Sequence, residues 1–123
     1  MANLLTMTSN LSFAGNGVTV VENSAPAPIT VTGNGLLSLS SVTVPTMAAA
    51  IPLGSITAPG GWIIVKNNDA TNYMTLMTGT GGIAFARIYP GEFAHLRLDA
   101  GLTAPFWKAN VATVQATIAF FDN

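Results

Sequence analysis

A strand is predicted at residues 111–121, VATVQATIAFF. Successive side chains of an extended chain point to opposite faces, so this segment has one apolar face and one polar face. The apolar face carries Val114, Ala116, Ile118 and Phe120, and the polar face carries Thr113, Gln115 and Thr117. Residues 93–98, FAHLRL, repeat the alternation with Ala94, Leu96 and Leu98 on one side. Both segments are typical of strands that pack one face against a core.

Short stretches of the same kind recur along the chain, with turn signals about every 8 to 12 residues. Turn residues occur at 16–17 (Asn-Gly), 33–35 (Gly-Asn-Gly) and 90–91 (Pro-Gly). The pattern predicts an all-β protein with about nine or ten short strands. A single antiparallel β-sandwich domain over residues 1–123 is expected, and jelly roll, immunoglobulin-like sandwich and closed barrel all fit the spacing. Only residues 46–51, with three alanines, suggest one helical turn or an irregular connection.

The composition is unusually poor in charge. The 123 residues include four Lys or Arg and five Asp or Glu, or 7% charged residues, against roughly 25% in soluble domains. Half of the chain is apolar, which is the reverse of what disorder requires. A net charge of -1 gives no basic surface for nucleic acid. The absence of cysteine and the single histidine exclude disulfides, a thiolate nucleophile and a multi-histidine metal centre.

The charges are also unevenly distributed. Glu22 is the only ionised side chain between residues 1 and 65. Two interpretations compete: a sandwich with a neutral, hydroxyl-rich surface, and a subunit whose surface is covered by neighbouring copies. The second is favoured because the centres of protein interfaces are depleted of charged residues. The sequence therefore predicts a homo-oligomer.

No segment reaches the ~18 apolar residues that a membrane-spanning helix needs. The uncharged first 21 residues lack the basic start of a secretory signal and contain several Asn, Ser and Thr side chains. We therefore expect a protein made in the cytoplasm, without a membrane partner.

The uncharged residues 1–10 are a candidate N-terminal arm that reaches a neighbouring subunit. Addition of this segment as a strand to an exposed sheet edge would be its natural mode of binding. The candidate assembly contacts are Ala2, Asn3, Leu4, Leu5 and Thr6. The alternative, an ordinary first strand of the same domain, requires the same alternation.

No catalytic signature is present. His95 lies in a predicted strand and lacks the nucleophile and orienting carboxylate that general-base catalysis needs. Asp69, in the Asn-rich loop at 67–72, is the best oxygen ligand for calcium, but it lacks further carboxylates at suitable spacing. Capping of a turn is the favoured role for these side chains. We predict no catalytic, cofactor-binding or metal-binding residues, and a protein that is not an enzyme.

Two tryptophans support an alternative function. Trp62 and Trp107 could form an aromatic surface on which a sugar ring stacks, as in a glycan-binding or host-attachment module. Aromatic residues in an alternating pattern more often belong to a core, so the two roles remain open for each ring.

The second half carries a recognisable series of motifs. These are Leu53-Gly54-Ser55-Ile56, Pro59-Gly60-Gly61-Trp62, Val65-Lys66-Asn67, Asp69, Thr71-Asn72-Tyr73, Pro90-Gly91-Glu92-Phe93 and Lys108-Ala109-Asn110. Over residues 51–123, this arrangement resembles small virion structural proteins of tailed bacteriophages. The first half shares only general β character with them.

The resemblance implies a jelly-roll or related sandwich that functions in a particle. Proteins of this kind act as capsid decoration or cement proteins, often as trimers that contact the major capsid protein, or as head-fibre and tail components. The resemblance supplies no catalytic residues. It implies location in the virion.

Overall fold

The computed structural model of the chain describes residues 3–8, 10–15, 18–23, 27–31, 36–54, 61–99 and 105–121. These residues form strands, turns and irregular connections, with no helix among them. Their strands are β1 Asn3–Met7, β2 Asn10–Gly15, β3 Val18–Asn23, β4 Ala27–Val31, β5 Leu36–Val44, β6 Ala49–Ala50, β7 Trp62–Asn67, β8 Met74–Met77, β9 Ala84–Ile88, β10 Phe93–Arg97, β11 Phe106–Ala109 and β12 Val114–Phe121. The protein is therefore all-β, as the alternation predicted.

The chain divides into two compact units, residues 1–32 and 33–123. The second unit holds β5 to β12, which form two antiparallel sheets of four strands each. The prediction of a β-sandwich is confirmed, with eight strands in its two sheets rather than nine or ten. A single domain over residues 1–123 stays a prediction.

The strand order identifies the type of sandwich. Sheet I has the order β10-β7-β12-β5, and sheet II has the order β6-β11-β8-β9. Within these eight strands the first pairs with the last, the second with the seventh, the third with the sixth, and the fourth with the fifth. This nested pairing is the eight-stranded jelly roll, in which a long antiparallel pair folds over into two sheets.

One hydrophobic core joins the two sheets. Side chains from both contribute to it: Val44, Ile51, Ile63, Val65, Met74, Leu76, Ile88, Leu98, Trp107, Ala109, Val114, Ala116, Ile118 and Phe120. The four apolar positions of β12 are all fully buried, which confirms the face assigned to them from the sequence. Burial of each large side chain stabilises the fold by about 1.5–3 kcal/mol.

The first unit consists of two antiparallel strand pairs. β1 pairs with β4 from Asn3 opposite Val31, and β2 pairs with β3 up to Gly15 opposite Val18. The predicted Asn-Gly turn between the last two residues lies outside the described residues. The side chains at alternate positions 6, 8, 10, 12 and 14 are exposed. Four of these five positions carry the polar residues Thr, Asn or Ser.

The alanine-rich connection differs from its prediction. Ala49 and Ala50 form the short strand β6, which pairs with Trp107 and Phe106 of β11. Ile51 extends this contact by donating its N–H to the carbonyl of Pro105 at 2.9 Å. Of the two predicted alternatives, the irregular connection is found at residues 46–48. The helical turn is wrong because alanine's helix propensity is weak and tertiary pairing overrides it.

Candidate functional site

The outer face of sheet I carries an aromatic and apolar surface. In β7 the residues that alternate with the buried Ile63 and Val65 point outward, and the pairing places them beside the outward residues of β10 and β12. We call this surface the aromatic face, and its members are Trp62, Ile64, Phe93, His95, Ala119 and Phe121. Phe93 is 66% exposed, and the other members are half-buried.

The aromatic face has a polar border. Lys66 and Arg97 are exposed beside it, on β7 and β10. At the other end of sheet I, Gln115 donates to the Thr43 hydroxyl at 2.9 Å and accepts from Ser41 at 3.2 Å. An apolar centre with a polar rim is the usual anatomy of a protein interface. The solvent side of an antiparallel sheet is ordinarily polar instead.

His95 lies on the aromatic face, where its ring stacks with Phe93 at a centroid distance of 6.4 Å. The nearby Glu92 carboxylate accepts the Tyr89 N–H at 2.8 Å and therefore serves the turn that precedes β10. The imidazole is therefore part of the aromatic face.

The two tryptophans occupy different environments. Trp107 of β11 is 1% exposed and belongs to the core between the sheets, so it offers no ring face to a sugar. This corrects its candidacy as a glycan-stacking residue. Trp62 is half-buried on the aromatic face, and its indole Nε1 is buried without a hydrogen-bond partner among the described residues.

The proposed assembly segment falls in β1. Asn3, Leu4, Leu5 and Thr6 pair with Val31, Thr30, Ile29 and Pro28 of β4, and the Thr6 side chain is exposed. Ala2 lies outside the described residues. Among the described strands, β1 pairs with β4 alone and enters neither four-stranded sheet. Each strand of such a two-stranded pair retains one edge that can accept a further strand.

The Asn-rich loop is a turn held by its own side chains. The Asp69 carboxylate accepts the N–H groups of Thr71 and Asn72, both at 2.7 Å. Asn67 is fully buried, and its Oδ1 accepts the Asp69 N–H at 2.9 Å. The carboxylate is thus engaged in turn capping, the role that the sequence favoured over calcium binding.

The hydrogen bonds to the Asp69 carboxylate make part of the protein's stability sensitive to low pH. The N–H of Asn72, followed by that of Thr71, holds the pKa of this carboxyl below its ordinary value of 3.8. A lowered pKa in the folded state stabilises the protein above pH 3.8, and this contribution is lost as the pH falls through the lowered pKa. We expect the free energy of unfolding to decrease as the pH falls below about 4, and to decrease less in Asp69→Asn. Urea titrations at several pH values measure this, and identical pH profiles would contradict it.

A second cluster lies on the outer face of sheet II and was missed by the sequence reasoning. The Arg87 guanidinium lies over the Tyr73 ring, 4.5 Å from its centroid. A hydrogen bond with the Tyr89 side chain, followed by the electrostatic effects of Tyr73 and Tyr89, raises the pKa of Arg87. The two tyrosine rings are 5.5 Å apart. In the sequence, Arg87 lies between Tyr73 and Tyr89, but this order does not show that the three side chains meet. The pairing of β8 with β9 was needed to predict the cluster.

No family model, curated protein or solved structure matches the chain. The described part of the chain has no helix of the length and apolarity that crossing a membrane requires. Within the same residues there is no cluster of three or more His, Cys, Asp or Glu that could hold a metal ion. A function must therefore be inferred from the fold, from the aromatic face of sheet I and from the Arg87 cluster of sheet II.

Proposed function

We propose that the protein is a non-enzymatic structural subunit of a bacteriophage particle, a capsid decoration or cement protein that acts as a symmetric homo-oligomer. The observation that carries the self-association is the aromatic face of sheet I. Exposed apolar surface with a polar border marks sites of protein contact. The phage particle, the trimer and the major capsid protein as partner rest on the sequence resemblance alone.

The mechanism of such a protein is physical. A closed ring of copies covers the aromatic face and presents several equivalent surfaces to a shell, so that one oligomer bridges neighbouring shell subunits. Coverage of that face would also account for a surface with few charges, since interface centres are poor in Lys and Glu. A jelly roll supplies a stiff core for this role, because both sheets share one packed interior.

The first unit supplies a second type of contact. Among the described strands β1 has one unpaired edge, which can pair with a sheet edge of a neighbouring subunit through main-chain hydrogen bonds that provide affinity. Residues 2–6 remain the candidate contacts for this strand addition. The uncharged sequence around them suits burial in an assembly.

Phe93→Glu should weaken self-association of the full chain by roughly tenfold or more, because it places a charge at an exposed aromatic contact. Phe93 is already 66% exposed, so the variant should fold. Ile83→Glu is the matched control: Ile83 is 78% exposed and lies between β8 and β9, away from sheet I. Light scattering across a dilution series gives the masses of the three proteins.

Two outcomes would contradict the proposal. A wild-type chain that stays at 12.6 kDa at every concentration and does not sediment with purified phage shells has no role in a particle. Equal dissociation of the Phe93 and Ile83 variants would remove the aromatic face as the contact. A stable oligomer that sediments with shells and is lost only in the Phe93 variant is the expected result.

A further inference from the structure

A cavity of about 260 Å³ opens on the outer face of sheet II. Its walls come from the β5–β6 connection, β8 and the loop before it, β9, and the end of β11. The residues that line it are Thr46, Tyr73, Thr75, Ala84, Arg87, Lys108, Ala109 and Asn110. None of them belongs to the aromatic face, so the cavity is a separate feature of the molecule.

Strand pairing concentrates positive charge in this cavity. Thr75 of β8 lies opposite Lys108 of β11 on one side and opposite Arg87 of β9 on the other. The two cations, half of the four in the chain, thus flank one threonine on the same outer face. Among the described residues, no Asp or Glu lines the cavity. Such a site favours a negatively charged ligand.

The Arg87 guanidinium is exposed and lies over the Tyr73 ring, 4.5 Å from its centroid. This stacking favours one orientation of the planar donor group. A fork of donors of this kind matches the two oxygens of a carboxylate. Lys108 is exposed and can reach the same anion as a flexible point charge.

The cavity also has groups that can bond a hydroxyl. Thr46 and Thr75 both line it, and a threonine hydroxyl both donates and accepts a hydrogen bond. The cavity therefore combines an anion site with partners for hydroxyl groups.

We propose that this cavity binds a sugar ring that carries a carboxylate. The carboxylate would lie between Arg87 and Lys108, and ring hydroxyls would bond the hydroxyls of Thr46 and Thr75. The volume is below the ~300–1,000 Å³ of sites for drug-sized ligands, so it suits one sugar residue. The proposal rests on the cavity alone and does not depend on the function proposed above.

The test uses the full chain and two sugars that differ in one group. Glucuronate carries a carboxylate where glucose carries a hydroxymethyl group. In nitrogen-proton NMR titrations, glucuronate should shift the amide signals of Thr75, Arg87, Lys108 and Asn110 to saturation. Glucose should bind at least about tenfold more weakly, because it lacks the charged partner of the two cations.

Variants locate the site. Lys108→Gln should weaken glucuronate binding by about tenfold and leave the rest of the amide spectrum unchanged, since the side chain is exposed. Lys66→Gln removes the same charge from sheet I, where that side chain is also exposed, and should bind as the wild type does. Equal effects of the two variants would show a general charge effect and overturn the proposal.

A third ligand separates the sugar from its anionic group. Inorganic sulfate has the charge but no ring hydroxyls, so it should bind more weakly than glucuronate. Binding of sulfate as tight as that of glucuronate would identify an oxyanion site only, and glucose binding as tight would identify a neutral sugar site. Either result, or no saturable shifts with glucuronate, overturns the proposal.

Discussion

Replacement of Asn67 by alanine should lower the free energy of unfolding by about 3 kcal/mol, a large share of the ~5–15 kcal/mol typical of a domain. The side chain is fully buried, and its Nδ2 donates to the carbonyls of Asn72 at 2.9 Å and Ile88 at 3.0 Å. Its Oδ1 accepts the Asp69 N–H. Alanine leaves all three groups without their partner, and an unpaired buried polar group costs about 1–3 kcal/mol.

The adjacent residue is the matched control. Asn68 is exposed, and its Nδ2 donates to the Thr117 hydroxyl at 2.8 Å. Asn68→Ala should therefore cost no more than about 1 kcal/mol. Urea unfolding followed by circular dichroism measures both losses. A loss at Asn67 no larger than the loss at Asn68 would mean that water replaces the buried amide, contrary to this interpretation.

The main chain of Asn67 also holds the turn before β10. The main chain of Asn67 donates to the carbonyl of Glu92 at 2.9 Å and accepts from the N–H of Gly91 at 3.1 Å. The Glu92 N–H bonds the Tyr89 carbonyl at 3.0 Å, and Gly91 has a φ of 78°. Pro-Gly at the centre with positive φ at glycine is typical of a type II turn. One asparagine thus connects the end of β7 to the start of β10.

Alternation along the chain predicted which residues of a strand face the hydrophobic core. The faces assigned to β10 and β12 agree with the structure. Side chains alternate within a strand whichever strands pair with it, so the faces can be read from the local sequence. The same rule would have placed Asn67 inward, in line with Ile63 and Val65. An amide after a short apolar run was instead interpreted as loop, since its hydrogen-bond partners at Asn72 and Ile88 cannot be inferred from local sequence.

Strand order could not be predicted, because periodicity identifies faces and not neighbours. The jelly roll pairs β5 with β12, and contacts such as the one between Ser41 and Gln115 join residues 74 positions apart. Several sandwich topologies satisfy the same pattern of short strands. The candidate sites depend on this order: the aromatic face combines three strands, and the cavity combines Lys108, Thr75 and Arg87 from three others.

Trp107→Ala should destabilise the protein by about 3–5 kcal/mol, as expected when a large aromatic side chain is removed from a packed core. The ring is 1% exposed and belongs to the cluster that joins both sheets. Trp62→Ala is the natural comparison, because that ring is half-buried on the outer face and its loss leaves a smaller cavity. We therefore expect a markedly smaller loss of stability at Trp62.

The two variants also separate stability from association. Trp107→Ala should change the urea midpoint and leave the self-association of the folded fraction intact, whereas Trp62→Ala should weaken association through the aromatic face. Urea unfolding and light scattering on each protein provide the two measurements. Equal destabilisation by both variants would contradict the division between core and surface. That division follows from strand pairing, which turns one tryptophan toward the opposing sheet and the other away from it.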